Sequence, residues 1–159
     1  MSLLSKFSNI FGKSRKTLMS KCSVYKTKEK YILIPVVETD VGVLMDDFPI
    51  QILKTDVDHK SFCEALQVCL KNSRRIIKHP AQHERKDRQK KLLKAMKETS
   101  YKKLYLHSKA WSLKQKDENL LIVPYEYEEE YKALTQDKSK QVILENFRDR
   151  CNELLSILN

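Results

Sequence analysis

The stretch SVYKTKEKYILIPVVETDVGVL, residues 23–44, constrains the fold more than any other. Val24, Tyr25 and residues 31–37 are apolar, aromatic and β-branched, and a charged tip, residues 26–30, divides them. Such side chains suit a pleated, half-buried surface, and a short polar break between two such runs reads as a hairpin. The expected strands are 24–26 and 31–38, then 42–45 and 50–54 across the turn DDFP. Pro35 lies within the second run; lacking an N–H, it implies an edge strand or a bulge there.

The pattern then turns helical. Asp58 can accept a free backbone N–H, and Phe62, Leu66, Cys69, Leu70 and Ser73 share one face of a helix that ends before IIKHP. A second helix, 83–98, has only Leu92, Leu93 and Met96 as apolar contacts. Residues 111–116 and 119–127 read as another hairpin, joined at KDEN. Ile143, Phe147, Cys151, Leu154 and Leu158 recur at intervals of three or four, with Val142, Leu144 and Leu155 beside them, which predicts one C-terminal helix lying across the sheet. The expectation is a single α+β domain, a mainly antiparallel sheet packed against helices. It occupies residues 22–159. Residues 1–21 form an N-terminal amphipathic segment and linker, with Leu3, Leu4, Phe7, Ile10 and Phe11 at helical spacing before Gly12. That segment could dock on the domain or a partner, make membrane contact through residues 1–11, or stay loose.

With only two glycines in the chain, the glycine-rich phosphate loops and the nucleophile elbow are excluded. His79 and His83 have the i,i+4 spacing of a zinc helix, but Pro80 between them places them across a helix start. A metal nuclease would need carboxylates converging near a lysine, yet Ile52 stands two residues before Lys54. Asp40, Asp46, Asp47, Asp56 and Asp58 read as turn and capping residues. No enzyme, cofactor or metal site is expected. Cys22, Cys63, Cys69 and Cys151 are scattered and read as buried thiols acting as small hydrophobes. With no convincing signal peptide and no long apolar run, the expected location is the cytoplasm.

The net charge of +10 is concentrated. Residues 71–103 hold thirteen basic side chains and three acidic ones, an excess equal to that of the whole chain, whereas Glu126, Glu128, Glu129 and Glu130 form an acidic knot. Three readings stay open for the basic segment: a solvated helix face, a protein-binding surface, or nucleic-acid binding by phosphate neutralisation. Aromatic residues for base stacking are sparse there, Tyr101 and Tyr105 arriving only at its end. The candidate partner-binding residues are Arg85, Arg88, Lys90, Lys91 and Lys94.

The order of the pieces carries a resemblance. CSVYKTKEKYILIP, FPIQIL, CLKNSRRIIKHP, KKLLKAMKETSYKKLY and ENLLIVPYEY follow one another over about residues 22–127. This series resembles the immunity proteins of contact-dependent growth inhibition (CDI) systems, in a family formerly carried as a domain of unknown function. The matching positions are Ser23, Val24, Tyr25, Lys26, Ile34, Pro35, Ser73, Arg74, Pro80, Ser100, Tyr101, Pro124 and Tyr125. They are scaffold patterns and carry no catalytic fingerprint. The resemblance implies a protein that binds the C-terminal toxin domain delivered by a neighbouring cell, often a nuclease, and blocks its active site. Residues 1–21 lie outside the pattern, and a charge of +10 calls for an acidic patch or catalytic carboxylates on the toxin.

Overall fold

The computed structural model describes residues 19–159. The N-terminal amphipathic helix, and the membrane contact expected of residues 1–11, lie outside the described residues. Within these, no helix is long and apolar enough to cross a membrane.

The chain is α+β, as expected. The hairpin is formed by β1, Ser20–Lys26, and β2, Lys30–Thr39, paired antiparallel with Val24 opposite Leu33. The first strand thus begins at Ser20, which is buried, within the segment expected to be linker. There follow β3 (Leu44–Asp46), β4 (Gln51–Lys54), α1 (His59–Asn72), β5 (Ile76–Ile77), α2 (Gln82–Met96) and α3 (Tyr101–His107). The second hairpin is β6 (Lys109–Lys116) and β7 (Asn119–Glu128), then β8 (Ala133–Gln136) and β9 (Val142–Leu144). The chain closes with α4 (Phe147–Arg150), a 3₁₀ turn (Cys151–Glu153) and α5 (Leu154–Ile157). The main strand order is β3-β2-β1-β6-β7-β8, with β4 and β5 also pairing with β2, and β9 with β7. Every pairing is antiparallel except β2 with β5.

Pro35 explains how β2 holds so many partners. This strand is interior, not an edge. The β4 ladder ends at Leu33 and the β1 ladder at Pro35, while β3 begins at Val36 and β5 at Glu38. The residue that cannot donate sits where one set of partners gives way to the next, and its carbonyl accepts from Asp47 N at 2.9 Å.

Alternation along the strands builds two cores, one on each face of the sheet. Cys22, Val24, Tyr31, Leu33, Leu113, Leu120 and Ile122 point to one face, covered by Phe62, Leu66, Cys69 and Leu70 of α1 and by the C-terminal segment. Tyr25, Ile32, Ile34 and Ala110 point to the other, covered by Leu92 and Met96 of α2 and Leu104 of α3. Asp58 caps α1 as its position implied, its carboxylate accepting from Ser61 N at 2.8 Å.

Two expectations are corrected. The C-terminal region is not one helix: residues 142–144 form strand β9 on the edge of β7, so Ile143 faces outward at 57% exposure, while Phe147, Cys151, Leu154 and Leu158 are buried. The spacing of three or four holds for the helical turns over 147–157, but a strand brings every second residue inward, so the pattern does not carry back through residues 142–144. The cysteines also differ. Cys63 of α1 and Cys151 are joined by a disulfide across 88 residues of sequence. Cys22 and Cys69 remain buried thiols, their sulfurs 2.8 Å apart. Burial, and then the neighbouring Cys69, push the Cys22 thiol well above its usual range. Cys63 and Cys69 do not bond to each other, and each has met a partner from a distant segment.

Candidate partner-binding surface

Helix α2 carries four of the five candidate residues outward. Its apolar residues are few because only its C-terminal half touches the sheet, through Leu92 and Met96. At its start Glu84 reaches back to accept from Ala81 N at 3.1 Å, satisfying a free first-turn donor. At its end Lys97 adopts a left-handed conformation, and Lys30 from the tip of the β1–β2 hairpin closes the helix. The Lys30 ammonium donates to Met96 O at 2.7 Å and pairs with Glu98 at 2.9 Å. A cation on the last carbonyls complements the helix dipole.

Lys90, Lys91 and Lys94 are exposed. Lys91 makes an i,i+4 pair with Asp87 at 3.6 Å, with both side chains in solvent, so the pair contributes little. Arg85 is exposed and its guanidinium lies 3.1 Å from His79 Nε2. His79 precedes α2 and His83 lies within it, so the two straddle the helix start as the proline implied.

Arg88 is different. It turns inward and donates to Asp46 O and to Asp47 Oδ1, both at 2.8 Å. The other oxygen of Asp47 accepts from Arg75, which also donates to Phe48 O. One carboxylate therefore ties α2, the segment after α1 and the β3–β4 turn together. Burial pushes the Asp47 carboxyl up, but the hydrogen bonds from Arg75, Phe48 N–H and Arg88 outweigh it and hold it below the usual range. Arg74 is also engaged, donating to Ser20 Oγ at 2.6 Å. Three of the thirteen basic side chains are thus parts of the scaffold, and charge counted along the sequence overstates what a partner meets.

Between β3, α2 and α3 lies a cleft of about 390 Å³ lined by Asp46, Arg85, Arg88, Tyr101 and Tyr105. Tyr25 and Tyr105 stack with centroids 6.3 Å apart, and Tyr101 lies 5.8 Å from Tyr105. Burial, with Asp46 nearby, pushes the Tyr105 hydroxyl up to about 12 and that of Tyr101 further. Burial raises the Asp46 carboxyl to about 6, against the pull of Arg88. A raised carboxyl favours the fold while it is protonated and loses that contribution as pH rises through 6. Asp46→Asn, which mimics the neutral acid, is therefore expected to be more stable than the parent at pH 8 by about 2 kcal/mol, the difference closing towards pH 4. Urea melts at both values check this; an equal gap at both would refute it.

Helix α3, from Tyr101, was not read in the sequence. Its signal was available: Ser100 accepts from Lys103 N, a cap that ends one helix pattern and opens another.

No family model matches the chain, and no curated protein does. The fold is nevertheless shared. A protein of unknown function from Neisseria meningitidis superposes with a TM-score of 0.66 at 16% identity, covering 92% of this chain and 95% of that one. A chain of a CdiA-CT/CdiI toxin and immunity complex from Yersinia pseudotuberculosis superposes with a TM-score of 0.59 at 15% identity, covering 80% of this chain and 87% of that one.

Proposed function

We propose that this protein is an immunity protein that binds a cognate CDI toxin domain in the cytoplasm and neutralises it by covering its active site. The carrying observation is the fold, similar along most of its length to a chain from a toxin and immunity complex. The order of sequence pieces is a second and independent support, since it resembles that family without reference to coordinates. The toxin expected is a nuclease, and the protein acts by binding without chemistry of its own. Its exposed charge, Arg85, Lys90, Lys91 and Lys94, suits capture, because complementary fields speed encounter and reject partners of the wrong sign.

The disulfide bears on location. Cytoplasmic thiols are ordinarily kept reduced, so in that compartment Cys63 and Cys151 would rest as a packed thiol pair.

Co-expression tests the reading. The protein is expected to protect a cell from the toxin domain encoded beside it and from no unrelated toxin, and to form a stoichiometric complex with it on gel filtration. Reversing Arg85, Lys90, Lys91 and Lys94 to glutamate should slow association by about tenfold at low salt. Arg88 is left out of that set because of its bonds to Asp46 and Asp47. Failure to protect against any adjacent toxin would sink the reading. The alternative, nucleic-acid binding through residues 71–103, rests on the same exposed lysines and would be favoured by tight duplex binding at physiological salt.

A further inference from the structure

A groove of about 840 Å³ lies away from α2's exposed face. It lies at the end of the sheet, between the tip of the β1–β2 hairpin, the C-terminus of α2 and the α3–β6 junction. Six lysines line it, against Glu29 and Glu98. Two of the six are engaged: Lys30 holds Glu98, and Lys26 donates to Asn159 Oδ1 at 2.9 Å. Lys28, Lys97, Lys103 and Lys109 are exposed and have no ion-pair partner among the described residues.

Four unneutralised ammonium groups converge from four separate segments, so folding gathers them against their mutual repulsion. Leu106 lies among them, 49% exposed. No phenylalanine, tyrosine, tryptophan or arginine is among its lining residues, and the one ring there is the imidazole of His107. A strand of bases would find a single imidazole to stack on, and phosphates no guanidinium fork. Lysines around an exposed leucine instead fit a carboxylate-rich polypeptide with an apolar side chain between its acids.

We propose that this groove docks an acidic segment of the partner protein, its carboxylates meeting Lys28, Lys97, Lys103 and Lys109 and an apolar residue covering Leu106. The inference deepens the immunity reading and rests on it for the identity of the partner. It also answers the charge problem: a positive inhibitor needs an acidic region on its target, and the groove says what that region contains.

The probe is a short synthetic peptide of glutamate and leucine, labelled for fluorescence anisotropy, beside a single-stranded RNA of the same length. The peptide is expected to bind at physiological salt. Lys97→Glu, Lys103→Glu and Lys109→Glu together should weaken it by about tenfold or more, whereas Lys90→Glu, Lys91→Glu and Lys94→Glu should leave it within about twofold. Leu106→Ser should weaken the peptide and leave polyglutamate unchanged. All these side chains are exposed, and the corresponding alanine variants guard against misfolding. Equal peptide affinity in the groove variant, or RNA held more tightly than peptide by these same lysines, would overturn the proposal. A groove variant that loses the peptide yet protects against the toxin as the parent does would also overturn it, with the immunity reading intact. Peptide binding lost in the groove variant, in a parent that protects against no toxin, would leave the groove standing and remove the immunity reading.

Discussion

Leu154→Asp is expected to abolish the cooperative thermal melt of this protein at neutral pH. Leu154 is fully buried and packs with Phe147, Leu158 and α1 against one face of the sheet. Removing a buried leucine side chain costs about 2–5 kcal/mol. An aspartate in its place must either ionise in an apolar site or remain protonated at pH 7, and either adds several kcal/mol. The sum reaches the whole stability of an ordinary domain, about 5–15 kcal/mol. Ile143→Asp is the control that separates the observed structure from a single C-terminal helix. A continuous helix would bury Ile143 on the same stripe, and the two substitutions would be equally severe. With Ile143 outward on β9, its replacement is expected to cost less than about 1 kcal/mol. Circular dichroism melts of both variants decide it: a native-like melt for Leu154→Asp, or an unfolded Ile143→Asp, would contradict the packing described.

That contrast shows where sequence pattern runs out. Phe62, Leu66, Cys69 and Leu70 were legible as a buried face because a single long helix repeats its period for several turns. Both hairpins were legible because alternating apolar runs flank polar turns, and Asp117 in the KDEN turn does take a left-handed conformation. Phe147, Cys151, Leu154 and Leu158 were legible as core residues on helical turns, whereas Val142 and Ile143 were not legible as an exposed strand. Strand β9 exists only because β7 offers an edge, and no local property of Val142, Ile143 and Leu144 records that. The Cys63–Cys151 bond likewise depends on α1 meeting the C-terminal turn. The candidate surface shows the same division. Lys90, Lys91 and Lys94 are exposed, as a charged helix face implies, whereas Arg88 looks identical to them in sequence and is held inside by a partner 41 residues away. The lysine groove was beyond reach for the same reason: its members are spread from Lys28 to Lys109, and only the fold brings them together.

Asp47 shows how far such a hidden contact reaches. Asp47→Ala is expected to destabilise the protein by about 2–4 kcal/mol at pH 7, more than any exposed charge on α2. Its side chain is 11% exposed and that of Arg88 21%, so the pair is shielded from solvent. Arg75 is 40% exposed and can recover hydration, so its share is small. Without the carboxylate, Arg88 is left with the carbonyl of Asp46 alone, and its Nε already lacks a partner. The unpaired guanidinium supplies most of the cost, which makes a specific prediction. In a double-mutant cycle, Arg88→Ala should cost less in the Asp47→Ala background than in the parent, by about 1–2 kcal/mol. The pH dependence has a definite sign. The folded-state carboxyl lies below its ordinary value of 3.8, so its contribution is present above that value and is lost as pH falls through the lowered one. The gap between parent and Asp47→Ala should therefore be constant from pH 5 to 8 and shrink only in stronger acid, opposite to Asp46→Asn, whose advantage grows as pH rises through 6. Two neighbouring aspartates, one ending β3 and one opening the turn after it, thus change stability with pH in opposite directions. Urea unfolding at a series of pH values would expose both, and a gap for Asp47→Ala that persisted undiminished at pH 2 would show that the carboxylate's charge is not what secures α2 to the sheet.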